Sequence, residues 1–330
     1  MIIAEIAQAH DGSLGILHSY IDALKDTGVD AVKFQTHIAQ AESSNLEPFR
    51  VKFSYEDATR YDYWKRMEFT PGQWEGIKQH CEDNGMEFIS SAFSNAAVDL
   101  LENLGVKRYK IGSGEVTNLL ILERIVQTAK PVILSSGMSN WTELDAAVEI
   151  FREKKIPYSI LQCTTAYPTS PEHWGLNVLA ELKNRYNVPV GFSDHSGDIY
   201  ACLAAAALGA EILEFHVVFD KQMFGPDAKS SITPAEVKKL CTGVRQIRSA
   251  LENPVLKNDN SGFATLKNIF EKSLAVNKDL PSDHILTFGD LEAKKPGNSG
   301  IPANLFSDIT GKKLKNQKNA WDFLQSDDLI

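Results

Sequence analysis

Short apolar runs alternate with amphipathic or Ala-rich stretches from Ile2 to Leu251. The runs predict strands at Ile2–Ile6, Ala31–Gln35, Glu87–Ser91, Arg108–Ile111, Val132–Ser135, Tyr158–Gln162, Val190–Ser193 and Ile212–His216. Helices are predicted between them. Thr70-Pro71-Gly72-Gln73 and Thr233-Pro234-Ala235-Glu236 have the capping-box form, with proline at the first helical position. Gly28, Gly85, Gly105 and Gly209 stand where helices should stop. Eight strands alternating with eight helices is the pattern of a (β/α)8 TIM barrel. A doubly wound sheet is the rival, but it predicts a Gly-rich phosphate loop after an early strand, and neither GxGxxG nor GxxxxGK[ST] occurs. After Leu251 the alternation stops. Residues 1–255 are therefore read as the barrel and 256–270 as a polar linker. Residues 271–330 are read as a small β-rich module with a strand at Lys272–Val276 and a breaker-rich loop from Lys294 to Pro302.

Composition narrows the partners. The chain has 330 residues, 43% of them hydrophobic, enough for a sizeable core. A net charge of −9 disfavours nucleic acid, though an anionic small substrate is compatible with locally gathered lysines. No uncharged apolar run approaches the roughly 18 residues that would span a bilayer, and the start MIIAEIAQAH lacks the apolar core of a signal peptide. The four cysteines, Cys81, Cys163, Cys202 and Cys241, form no CxxC pair. Reduced thiols in a cytoplasmic protein are the expectation.

The candidate chemistry lies at the strand ends, where TIM barrels place their active sites. Glu214 and His216 are two residues apart on the last strand, so both side chains point to one face. One strand earlier, Ser193-Asp194-His195 again puts a histidine at a strand end. Two such histidines beside carboxylates suit a divalent metal or proton transfer; hydrogen-bonded core histidines are the plainer alternative. The other ends add Glu5, then Lys33 and Gln35 on one face, Ser91, Lys110 followed by Ser113 and Glu115, Ser135, and Tyr167 beyond strand six. Two lysines and several hydroxyls match the charge-assisted hydrogen bonds that a phosphate takes; structural ion pairing inside the barrel is the competing reading. Glu5, Glu115, Glu214 and Lys110 are the catalytic candidates. Gln35 and Asp194 are counted with the substrate-binding set. The long segment between strand two and Thr70 carries Phe53, Tyr55, Tyr61, Tyr63 and Trp64, and is read as a lid or binding loop or as a dimer contact.

The motifs AEIAQAHDGS, VKFQTH, YKIGSGE, LSSGM, LQCTTAYP, GFSDHS and GPDAKSS, in this order and spacing, resemble those of the sialic acid (nonulosonic acid) synthase family. The tail resembles the antifreeze-like (SAF, β-clip) module that follows their barrel. The likeness implies condensation of phosphoenolpyruvate with an open-chain N-acylated amino sugar, giving a nine-carbon 2-keto acid and phosphate. It implies a divalent ion at His195 and His216, manganese in the usual case, with magnesium or cobalt as alternatives. It places phosphoenolpyruvate at Lys33, Ser91, Lys110, Ser113, Ser135 and Ser193 with Tyr167 nearby, and the sugar at Glu5 and Asp227. It also implies a domain-swapped homodimer. Departures are Ala9 where Asn is usual, Thr165 where some members carry Asn, and Lys295 of Lys295-Pro296-Gly297 in place of the arginine that contacts the sugar's N-acyl group. Lysine lacks the planar fork of arginine, so the sugar's identity stays open. Alternative readings are a Schiff-base aldolase using Lys110 and a non-catalytic sugar-binding protein.

Overall fold

The computed structural model of the chain describes residues 1–51 and 54–330. These fall into two units, Met1–Asn253 and Pro254–Ile330. In the first, β1 (Ile2–Glu5), β2 (Ala31–Thr36), β3 (Glu87–Ala92), β4 (Tyr109–Ile111), β5 (Val132–Ser135), β6 (Tyr158–Cys163), β7 (Val190–Asp194) and β8 (Ile212–Val217) pair in parallel, each with the next. The sheet closes through β1–β8, with Glu5 opposite His216. Each predicted strand is present, its ends within a residue of expectation. Parallel neighbours require crossovers, and helices supply them; those starting after Thr70 and Thr233 carry the full capping box. The outward strand faces and the helices share one large core that includes Phe34, Phe88, Phe192 and Phe215.

The barrel interior is layered because inward side chains recur every second residue. Its lower layer is apolar: Ile3, Ala31, Ile89, Ile133, Leu161 and Ile212. Gly191 completes the layer, and a Cβ there would land on Ile212 O and Leu161 Cδ2. Two residues further along the same strands the inward positions turn polar, at Glu5, Lys33, Ser91, Ser135, Ser193 and Glu214. A dry plug thus supports a buried polar floor.

The segment between β2 and Thr70 is folded where it is described. It contains helices Ala39–Glu42 and Arg60–Met67, the second begun by a Thr59–Asp62 capping box. Ala39, Tyr63, Trp64 and Met67 form a buried cluster of their own. Tyr55 is exposed, and Phe53 lies outside the described residues.

In the second unit β9 (Ser273–Val276) pairs antiparallel with β10 (Leu291–Lys294) over a small core built around Leu274, Val276, Leu286 and Leu314. Residues 256–270, expected to be linker, include the helix Ala264–Phe270. Its apolar positions Leu266, Ile269 and Phe270 recur at near-helical spacing, a signal the polar residues around them hide. Asp290 is the polar anchor of the unit. It is buried, takes hydrogen bonds from Thr287 N and Oγ1 at 2.8 Å, and pairs with His284 at 2.9 Å and Lys278 at 2.7 Å. Burial alone would raise its carboxyl, but these partners hold it well below the usual carboxylate range. A depressed carboxylate stabilises the fold above its unfolded value of about 3.9 and loses that contribution as pH falls through the folded one. We expect amide-exchange protection in Ser273–Val276 to weaken below about pH 4, and Asp290→Asn to abolish that acid dependence. An unchanged acid profile in the variant would remove Asp290 as its source. Among the described residues, no helix is long and apolar enough to cross a membrane.

Candidate active site

Above the apolar plug, the C-terminal strand ends enclose a cavity of about 380 Å³. Every sequence-predicted site residue of the first unit except Asp194 lines it. Its floor is a charged cluster assembled by strand register. Glu5 stands between Lys33 on β2 and His216 on β8, and Ser193 stands beside Glu214. Lys33 Nζ pairs closely with Glu5 Oε1 and lies 3.5 Å from Glu214 Oε1. Lys110 Nζ lies 3.2 Å from the same Glu214 oxygen and donates to Ser135 Oγ at 2.8 Å. All four charged side chains are buried.

The electrostatics follow from this packing. Burial pushes the Lys33 ammonium down, but Glu214 and Glu5 more than offset it and hold the group above its ordinary value. Burial likewise works against the Glu5 carboxylate, yet Lys33, His216 and Lys110 keep it well below the usual range. Floor charges therefore persist in a dry environment, where they act strongly on an incoming anion. Glu115, on the turn after β4, differs: burial raises its carboxyl, and Asn118 holds it at 2.7 Å.

His195 and His216 face one another with ring centroids 5.2 Å apart, and Tyr167 packs on His195 at 4.1 Å. His195 Nδ1 lies 3.0 Å from the Thr164 carbonyl. A carbonyl only accepts, so Nδ1 carries the hydrogen and Nε2 is the nitrogen left for a ligand. His216 Nε2 lies 3.4 Å from Glu5 Oε2, and burial disfavours its charged form. Glu214 Oε2 is buried without a hydrogen-bond partner among the described residues. Two imidazoles with adjacent carboxylate oxygens are a donor set that fits a first-row divalent cation. Among the described residues, no three His, Cys, Asp or Glu side chains converge as a ready-made cage. A cation held by the two histidines would keep positions for other oxygens.

Asp194 is the correction within the barrel. Ser193 and His195 face inward, so strand alternation turns Asp194 outward. There it takes hydrogen bonds from Ser196 N at 2.9 Å and Ser196 Oγ at 2.8 Å, and burial lifts its carboxyl to about 6. It shapes the turn after β7 and does not line the cavity. His10 is likewise a packed residue. It lies against Phe69 with ring centroids 4.9 Å apart, its Nδ1 accepts from Gly12 N, and burial lowers it to about 3. Lys295 belongs to the second unit, where its ammonium lies 5.1 Å from the centre of the Phe270 ring.

Residues that pattern reasoning passed over complete the walls. His37, pressed between Trp64 and Phe93, reaches Glu42 at 2.5 Å and, at 3.1 Å, Oε1 of the expected wall residue Gln35, whose Nε2 donates to Glu5 Oε1 at 2.8 Å. Arg50 lies over the Tyr167 ring at 4.1 Å and pairs with Asp227 at 2.7 Å. Arg60 joins them from the start of its helix. The Thr59-x-x-Asp62 capping pattern was the available signal for that helix; nothing local announces where Arg50 goes.

Residues 20–255 match the NeuB family model. The chain belongs to the NeuB family. It is 36% identical to the N,N'-diacetyllegionaminic acid synthase of Campylobacter jejuni over 325 residues, covering 96% of this chain and 97% of that protein. It is 32% identical to the human N-acetylneuraminate-9-phosphate synthase, over 95% of this chain and 88% of that one. Among solved structures, the N-acetylneuraminic acid synthetase of Leptospira borgpetersenii superposes with a TM-score of 0.71 at 30% identity, over 81% of this chain and 90% of that chain. This NeuB-family chain is thus an enzyme of the nonulosonic acid synthase class, built on the barrel its sequence pattern anticipates.

Proposed function

We propose that this NeuB-family protein condenses phosphoenolpyruvate with an open-chain N-acylated amino sugar, releasing phosphate and a nine-carbon 2-keto acid. The observation that carries the reading is a buried floor of two lysines sharing one glutamate, set in the same cavity as a facing histidine pair. Phosphoenolpyruvate brings a carboxylate and a phosphate. Lys33 and Lys110, with Ser91, Ser113, Ser135 and Ser193, offer charge-assisted and neutral hydrogen bonds for these two groups. A divalent cation on His195 and His216 would supply Lewis-acid polarisation of the sugar aldehyde.

In the reaction so assigned, the enol carbon of phosphoenolpyruvate attacks the aldehyde carbon. The developing positive charge at the phosphate-bearing carbon takes up water, and C–O cleavage then expels phosphate. Glu5, Glu115 and Glu214 are the carboxylates within the cavity that could take the water proton. Glu115, raised by burial, is the least charge-compensated of the three. Gln35, itself tied to Glu5, and Asp227 at the rim would orient sugar hydroxyls. Thr165 Oγ1, buried without a partner among the described residues, is a further hydroxyl available to the phosphoenolpyruvate end. Support for Lys295 and for a swapped homodimer comes from family membership alone.

The Schiff-base alternative would need a free Lys110 amine. That nitrogen is instead engaged by Glu214 and Ser135. The test is phosphate release from phosphoenolpyruvate with manganese and a panel of acylated amino sugars. We expect release that depends on both substrates and is lost in EDTA. Product formed from pyruvate without phosphate release and in the presence of EDTA, with an adduct trapped by borohydride, would replace this reading with the aldolase.

A further inference from the structure

His37 follows the end of β2 and is clamped between two aromatic faces, with ring centroids 4.0 Å from Trp64 and 4.7 Å from Phe93. Its side chain and that of Glu42 are nearly closed to solvent. Nδ1 lies 2.5 Å from Glu42 Oε1, and Nε2 lies 3.1 Å from Gln35 Oε1. No step of the condensation uses His37 directly. Its hydrogen bonds show what it holds in place.

The Gln35 amide can point only one way. Its Nε2 lies 2.8 Å from Glu5 Oε1, and Lys33 helps keep Glu5 a carboxylate. Turned over, the amide would set its own oxygen against that charge. Gln35 Oε1 therefore faces His37, and a carbonyl oxygen only accepts, so His37 Nε2 carries a hydrogen. Gln8 Nε2 is a second donor to the same oxygen and stands 3.4 Å from His37 Nε2. On its other side the ring meets a carboxyl. A neutral ring with its one hydrogen on Nε2 would set a lone pair against a Glu42 carboxylate. The His37–Glu42 pair therefore holds one further proton between its two members, whichever of them carries it. Ile38 N, 3.2 Å from Glu42 Oε2, steadies the carboxyl.

The consequence runs inward. With Oε1 occupied by His37 and Gln8, Gln35 serves the cavity it lines as an N–H donor. That donor and Lys33 share Glu5 Oε1, which leaves Glu5 Oε2 on the side of His216, at 3.4 Å. His37, Glu42 and Trp64 all come from the folded segment between β2 and Thr70. The packing of that segment thus reaches the charged floor through one ring.

We propose that His37 is a positioning residue: held by Glu42 and by the Trp64–Phe93 clamp, it fixes the Gln35 amide and, through it, the Glu5 carboxylate for the step involving the acceptor sugar. The inference rests on the condensation reading above and adds a residue to its machinery.

The experiment compares the full-length wild type, His37→Phe and His37→Gln. Each is assayed with phosphoenolpyruvate, manganese and whichever acylated amino sugar the wild type turns over fastest. Phenylalanine keeps the stack and loses both hydrogen bonds; glutamine can place an amide N–H near the position of Nε2. A misplacement of about 1 Å can cost about 100-fold in rate, so His37→Phe should lose about 10- to 100-fold in kcat/KM for the sugar. The KM for phosphoenolpyruvate should be unchanged, and His37→Gln should recover much of the loss. If His37→Phe folds poorly, combining it with Glu42→Gln removes the stranded carboxylate and reads the same loss. Near-normal turnover in His37→Phe overturns the proposal. So does an equal loss in His37→Gln, or a phosphoenolpyruvate KM that rises in step, since either means a merely structural role. A readout without turnover is the ring itself: in protein labelled with nitrogen-15 histidine, the signals lost in His37→Phe should include a hydrogen-bearing Nε2. A bare Nε2 breaks the chain to Gln35 and overturns the proposal. If the wild type releases no phosphate with any acceptor while Nε2 carries its hydrogen, the condensation reading has failed and takes the catalytic role of His37 with it, although the hydrogen-bond chain stands.

Discussion

Lys33→Met should lose turnover by at least about 10²–10³ and destabilise the barrel together. The first effect follows from removing one of two cations on which the proposed phosphoenolpyruvate site depends; a single preorganised charge-stabilising donor is worth about that much in rate. The second follows from burial. Lys33 is the partner common to Glu5 and Glu214, and all three side chains are nearly closed to solvent. Deleting one member of a buried ion pair typically costs about 3–5 kcal/mol, because the charge left behind has lost both water and partner. Lys110 and His216 still face the stranded carboxylates, so the cost should lie toward the lower end of that range. The two effects separate in Lys33→Met combined with Glu5→Gln. Removing the orphaned charge should return much of the stability seen in denaturant unfolding while turnover stays lost. A Lys33→Met enzyme with near-normal kcat/KM for phosphoenolpyruvate would sink the assignment of the floor.

That floor was legible because a closed parallel barrel leaves few choices for an inward position. Ile3 and Glu5, or Ile212, Glu214 and His216, share a face by period two, and the sequence turns from apolar to polar between them. The same rule exposes the misreading of Asp194. Three consecutive residues, Ser193 to His195, cannot all face inward, and the middle one turns out to cap a turn. The walls were less legible. His37, Arg50 and Arg60 come from a segment whose path follows from its own aromatic cluster and from pairing with Asp227, contacts between residues far apart in sequence. No short-range period encodes such contacts. In the second unit the strand at Ser273–Val276 was visible from its β-branched and apolar run, whereas the short helix before it was masked by flanking polar residues.

The histidine pair gives the other large effect. His216→Ala should abolish metal-dependent turnover while leaving the barrel folded. The fold should survive because the substitution lies above the apolar plug, which keeps its Ile3, Ile89, Leu161 and Ile212 packing. Glu5 also keeps Lys33, so no buried carboxylate is stranded as it is in Lys33→Met. The site should not survive, because His195 alone would be left with its orienting bond to Thr164 O and no facing imidazole. Changing a group that merely orients a metal ligand costs about 10- to 100-fold in affinity, so losing a ligand should cost at least that. Manganese binding, read by calorimetry or by the free-ion paramagnetic signal, tests this without any turnover. Unaltered manganese affinity in a folded His216→Ala protein would place the cation elsewhere. His195→Ala distinguishes the remaining cases. If both histidines are ligands, either variant should weaken binding to a similar degree. Loss in one variant alone would leave a single histidine, with the Glu5 and Glu214 oxygens as the other candidate donors.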